Sequence, residues 1–132
     1  MRISKPKERW FQIPNDPDNG RIKIRHLTPG ERQDIMDLAY VQEIEYETDD
    51  EGNMTPKLKQ STNRKLDREE TLMRSVVDWE KFFDEAGKPL KCTPENIVRA
   101  SREIDGFAEH AHECRMKLEK DFEEDEKKLE KN

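Results

Sequence analysis

Thr62 to Phe83, TNRKLDREETLMRSVVDWEKFF, is the stretch on which the reading of the whole chain turns. Leu66, Leu72, Met73, Val76, Trp79 and Phe83 recur mostly at spacings of three and four, the period of one helix face, so the stretch is read as a single long helix. Gly87 and Pro89 then stop it. Thr93-Pro94-Glu95-Asn96 starts the next helix with a capping threonine, a proline at the first helical position and a carboxylate near the positive end of the dipole. Val76, Trp79 and Leu90 are the expected core of this corner, and the Phe82-Phe83 pair anchors the helix that enters it.

Towards the C-terminus, Ile97, Ala100, Ile104, Phe107, Ala111, Cys114 and Leu118 step alternately by three and four, a heptad seam suited to packing on another helix. Gly106 interrupts the seam, and a glycine costs about 1 kcal/mol relative to alanine inside a helix, so a bend or break is expected near Asp105-Gly106. Past Leu118 the seam thins to Phe122 and Leu129 within the charged run DFEEDEKKLEKN. A helix with so few apolar residues gains little by docking on its own core, which predicts that it projects, frays or binds something else. The expected organisation is a compact α+β domain over residues 1–104 and a C-terminal helical arm over 105–132.

Towards the N-terminus, residues 9–27 read as a β-hairpin. RWFQI and RIKIRHL are short and rich in aromatic and β-branched residues, and PNDPDNG separates them. Asn19-Gly20 can supply the positive φ values of a tight turn. Ile22 and Ile24 alternate with Arg21, Lys23 and Arg25, the pattern of a half-buried sheet. LTPGERQDIMDLAYVQEI follows as a helix capped by Thr28, with Pro29 and Glu31 completing the start signal and Ile35, Leu38 and Ala39 as its inner stripe. Ile44 to Leu58 alternates apolar and polar residues around DDEGN, as a second hairpin or a mobile loop would. The fold expected from these pieces is α+β but mainly helical: an N-terminal β-hairpin, a small helical bundle and a long charged C-terminal helix.

The composition bounds what such a chain can do. It has 132 residues, 42% of them charged and only 31% hydrophobic, which leaves room for one modest core. The net charge is −6, yet residues 1–32 carry eight Lys or Arg against four acids, so the basic end could approach the acidic remainder of the same or a neighbouring subunit. No apolar run reaches the length needed to cross a bilayer, and MRISKPKERW has no hydrophobic region of a secretory signal; an intracellular protein is expected. Cys92 and Cys114 make no disulfide framework.

Three chemical constellations can be weighed. HAHEC, residues 110–114, places His110 and Cys114 one helical turn apart, but His112 points elsewhere and zinc wants four convergent ligands, so no metal or other cofactor is assigned. No nucleophile elbow, phosphate loop or HExxH pattern is present, and the many carboxylates lie in mixed-charge runs suited to solvated faces; no enzyme is expected. Arg21, Lys23 and Arg25, with Lys5, Lys7 and Arg9 nearby, could make a basic hairpin that binds nucleic acid, with Trp10 or Phe11 stacking on bases. The overall acidity argues against it.

SVVDWEKFFDEAGKPLKCTPENIVRA carries a further signal. A helix ending in V-x-x-W, an aspartate and glycine turn, then P-L-x-C-T-P-E-N opening another helix resembles the small tail assembly chaperones of long-tailed bacteriophages and prophages. The likeness covers about Arg64 to Ile104, and PNDPDNGRIKIRHLTPGER suits such proteins in outline. It implies a non-enzymatic protein of the bacterial host cytoplasm that holds the tape measure protein soluble during virion morphogenesis, with the tail tube protein as a possible second partner and homo-oligomers possible. On that basis Phe107, Leu118, Phe122 and Leu129 are the candidate partner-binding residues; the alternative is intramolecular packing against the 62–83 helix, which fits Phe107 equally well because helix seams are usually core. The alternative is a small phage structural tail protein, or a nucleic-acid-binding protein that uses the basic hairpin.

Overall fold

The computed structural model describes the backbone of residues 1–130 and the side chains of residues 1–128. Its elements in chain order are β1 (Glu8–Gln12), β2 (Arg21–Arg25), α1 (Pro29–Ala39), β3 (Tyr40–Thr48), β4 (Met54–Thr62), α2 (Arg64–Ser75), β5 (Val76–Glu80), α3 (Pro94–Glu103) and α4 (Phe107–Glu130). They form two antiparallel sheets, a three-stranded one in the order β1-β2-β5 and a two-stranded one of β3 and β4. The expectation of a mainly helical fold with a small helical bundle is thereby corrected. With five strands in two sheets among the described residues, the chain is a balanced α+β fold in which helices cover a sheet.

The largest correction falls on Thr62–Phe83. Only Arg64–Ser75 is helical, capped by the Asn63 side chain, which accepts from the Leu66 N–H. The chain then passes directly into β5, because β2 has an open edge that Val76–Glu80 can close. Trp79 pairs with Ile22 and Val76 with Ile24, and the register is irregular between Lys23 and Ile24. Pairing with a strand distant in sequence outweighs the local helical period.

β1 and β2 pair from Glu8↔Arg25 to Gln12↔Arg21, so Phe11, Ile22 and Trp79 line up across the inner face of the sheet. Ile22 and Ile24 are wholly buried, each worth about 2–3 kcal/mol of transferred apolar surface. In the β1–β2 turn Asn19 has φ of 56°, as expected for the tight turn. Gly20 serves another purpose: an added Cβ would lie 2.6 Å from the Asp16 carboxylate, which accepts hydrogen bonds from the Gly20 and Asp18 N–H groups.

Helix α1 starts with a complete capping box between Thr28 and Glu31. Ile35 and Ala39 are buried as expected, whereas Leu38 is exposed, since α1 packs mainly against α2 and the base of β3. In the corner after β5, Trp79 stacks on Phe82 at 4.4 Å and its Nε1 donates to the Leu90 carbonyl at 2.6 Å. Phe83 points outward. The Asp84 carboxylate accepts from the Ala86 and Lys88 N–H groups, and Gly87, with φ of 80°, closes the turn.

The long helix breaks at Ile104-Asp105-Gly106, with Gly106 at φ of 81°. Ile97 and Ala100 of α3 and Phe107, Ala111, Cys114 and Leu118 of α4 are buried against Ile22, Ile24, Val76 and Trp79. The heptad seam therefore packs on a sheet of its own chain, and Ile104, at the break, is left exposed.

Candidate functional site

The four expected partner-binding residues fall into different environments. Phe107 and Leu118 are core residues, 4% and 2% exposed, and Phe107 meets both Trp79 and Phe82 edge-on. Phe122 is half-buried, with His26 stacked on its ring at 4.8 Å and the Lys7 ammonium 5.0 Å above it. Arg9 and Lys7 hold Asp121 and Asp125 at 2.6 and 3.1 Å, so this stretch of α4 lies along β1. The basic start of the chain thus meets its acidic end within one molecule. Leu129 lies outside the residues whose side chains are described.

The basic hairpin is also occupied. Arg21 grips Glu80 through two hydrogen bonds of 2.6 and 2.8 Å, Lys23 pairs with Glu8 at 3.0 Å, and Arg25 grips Glu31 through both guanidinium nitrogens. Trp10 lies beneath Arg21, 4.2 Å from its ring centroid. A phosphate would have to displace a carboxylate at each of these cations, and an aromatic ring covered by an arginine offers no free face for a base. The Arg25 pair also acts locally: its hydrogen bonds pull the Glu31 carboxyl down to about 2, with the Thr28 backbone N–H assisting.

HAHEC brings His110 Nε2 and Cys114 Sγ to 3.5 Å. Burial raises both thiols, Cys92 and Cys114, to about 11, so each behaves as a small apolar residue with a proton. No group of three or more His, Cys, Asp or Glu side chains among the described residues could hold a metal ion. Nor is any buried side-chain N or O atom among them left without a hydrogen-bond partner.

What remains without a partner is the β3–β4 ribbon. α1 runs straight into β3, and the Asn63 N–H closes the base on the Ala39 carbonyl at 2.7 Å. At the tip the Asp49 carboxylate accepts from the Glu51 and Asn53 N–H groups, and Gly52 turns at φ of 85°. Between these ends the strands pair one to one without a bulge, from Tyr40↔Thr62 to Thr48↔Met54. Every residue of both strands is exposed.

The ribbon has two unlike faces. One carries Glu43, Glu45 and Glu47 of β3 against Lys57 and Lys59 of β4, with diagonal ion pairs Glu45–Lys59 and Glu47–Lys57 of 3.1 Å each. The other carries Ile44 opposite Leu58, Tyr46 opposite Pro56 and Thr48 opposite Met54. Ile44, Tyr46, Met54 and Leu58 are each about 60% exposed or more, a level that side chains of this size reach only when nothing packs on them. The backbone bonds at base and tip set the hydrogen-bonding alternation so that Pro56 directs its nitrogen to the open edge of β4, where no ladder bond is lost.

Below the apolar pairs the same face carries Gln42 opposite Gln60, and then Tyr40 and Thr62, which enter a groove of about 740 Å³ between α2 and α4. Leu72, Ala108 and Ala111 give the groove apolar surface, and Arg64, Arg68 and Arg115 stand around it, with Asp67 and Glu109 as the acids. Asp67 accepts from the Tyr40 hydroxyl at 3.0 Å, which raises the phenol above its ordinary value, and from Thr71. Arg115 pairs with Glu119 and donates to His112, whereas Arg68 donates to the neutral Ser101 carbonyl. Sequence reasoning recognised the alternation of Ile44–Leu58 but named none of these residues as a site. The available signal was Tyr40, Ile44, Tyr46, Met54 and Leu58 on one strand face with no other segment assigned to cover them.

No family model, no curated protein and no solved structure matches the chain. Among the described residues, no helix is long and apolar enough to cross a membrane.

Proposed function

We propose that the protein is a non-enzymatic assembly chaperone of a long-tailed bacteriophage or prophage, which binds apolar segments of the tape measure protein in the cytoplasm of the bacterial host and keeps them soluble until the tail tube forms around them. The observation that carries the binding part is the unpartnered apolar face of the β3–β4 ribbon and the groove it runs into. A client helix presenting one apolar stripe could lie along Ile44, Tyr46 and Leu58 while the Glu and Lys residues of the opposite face stay in water. The phage assignment is supported by the resemblance of the Trp79 corner and the PLKCTPEN helix start, which lie apart from the ribbon and serve to build the core.

On this reading the client lies on the ribbon and not at Phe107 and Leu118, which are engaged with their own sheet. The nucleic-acid alternative is disfavoured by the carboxylates already bound to Arg21, Lys23 and Arg25. Co-expression with the tape measure protein of the same phage or prophage is the test. The expected result is a larger soluble fraction of that protein, diminished by Ile44→Ser/Leu58→Ser; no gain in its solubility would overturn the proposal.

A further inference from the structure

An isolated two-stranded ribbon is at best marginally stable in water, and here the nine-pair ribbon touches the body only at its base and has one face with exposed apolar side chains. A cover of similar length and apolarity would stabilise it. Edge-to-edge pairing is obstructed on both sides. Pro56 removes a donor from the open edge of β4, and two β3 edges would bring Glu43, Glu45 and Glu47 of both copies together. The face itself has no such obstruction.

We infer that two copies of the chain pair face to face through their β3–β4 ribbons, running in opposite directions, so that the acidic tip of each enters the arginine-bearing groove at the base of the other. A nine-residue strand spans about 30 Å, so antiparallel overlap of two ribbons sets the tip of one over the base of its partner. The charges match this arrangement. The tip carries Asp50 and Glu51, with Asp49 beside them, and the groove carries Arg64, Arg68 and Arg115 against Asp67 and Glu109, with Arg115 already paired to Glu119, so Arg64 and Arg68 are the cations that meet the tip. Ile44 and Leu58 of one copy then stack on the same residues of the other, Tyr46 and Pro56 lie over Gln42 and Gln60, and the two-fold relation closes the assembly at a dimer. The Glu and Lys face of each ribbon remains in solvent.

Size sets the strength. A ribbon two strands wide and 30 Å long offers roughly 300 Å² in projection, well under the ~800 Å² per partner of a standard interface. The groove must supply the rest, so the dimer depends on both the apolar faces and the tip charges. Dissociation in the micromolar range is expected, weakening as salt rises.

The pairing stands independently of the client proposal and is measured on the purified chain alone, so either can fail without the other. Sedimentation equilibrium should show a monomer–dimer equilibrium. Asp50→Lys/Glu51→Lys, confined to the exposed tip, should raise the dissociation constant about tenfold, as should Arg64→Glu/Arg68→Glu. A chain carrying all four substitutions should return to within about threefold of the parent, because the ion pairs re-form with their signs exchanged. A strictly monomeric parent at millimolar concentration, an assembly growing beyond the dimer, or a four-fold variant no tighter than the weaker double variant would each overturn the inference.

Discussion

The β1-β2-β5 sheet and the β3–β4 ribbon are built from the same material and have opposite fates. Each is antiparallel, each alternates apolar with charged residues, and each carries ion pairs across its wet face. Yet Ile22 and Ile24 are wholly buried while Ile44 and Leu58 are largely exposed. The difference lies in what covers them. α2, α3 and α4 lie over the sheet, and none of the described residues lies over the ribbon apart from its base. Alternation thus specifies a face to be covered, and connectivity decides whether the cover comes from the same chain.

The contrast predicts very unequal responses to truncation. Trp79 lies on the sheet's inner face, stacked on Phe82, edge-on to Phe107 and bonded to the Leu90 carbonyl. Trp79→Ala should cost about 3–5 kcal/mol in chemical denaturation, from lost burial, a cavity and an unpaired carbonyl. A loss under about 1 kcal/mol would mean that the sheet is not the core and would erase the distinction between the two regions.

A smaller effect tests how the sheet is joined to the segment that leads to the ribbon. Arg25 closes β2 and Glu31 opens α1, so their pair fixes the angle at which α1, and then β3, leaves the sheet. The folded Glu31 carboxyl is lowered from 4.5 to about 2. Its contribution is therefore full above the unfolded value near 4.5 and is lost as pH falls through the folded value near 2. Stability should drop by on the order of 2 kcal/mol across that window, and Glu31→Gln should remove most of this dependence while lowering stability at neutral pH by a similar amount. An unchanged acid profile in the variant would show that the clamp contributes little.

What the sequence revealed of the fold follows the same division between local and distant causes. Capping at Thr28, Asn19 in the first turn and the break at Gly106 are written within a few residues, and each was legible. β5 was hidden for a specific reason. The irregular register against Lys23 and Ile24 sets Val77 aside, so Val76 and Trp79 share a face at a spacing of three, as they would on a helix. A strand containing such an irregularity does not display its period of two, and only the open edge of β2 reveals it. For the site, the seam through Phe107 and Leu118 was legible as an apolar face, but periodicity does not state whether its cover is the same chain or another. The same silence hid the ribbon, where the answer is the reverse.

The sharpest test of the comparison is the one with the least effect on folding. Ile44→Ser and Leu58→Ser face each other across the ribbon and remove apolar surface that the single chain never buries. Each should alter the unfolding free energy of the monomer, measured at concentrations well below dimerisation, by less than about 0.5 kcal/mol, the usual range for exposed positions. Ile22→Ser, at the equivalent alternating position of the sheet, should unfold a large fraction of the chain, since it puts a hydroxyl and a cavity where no exposure exists. If Ile44→Ser instead destabilised the dilute monomer by 2 kcal/mol or more, the ribbon would be covered within its own molecule. The face would then be core, and the case for a partner, client or second copy, would fall with it.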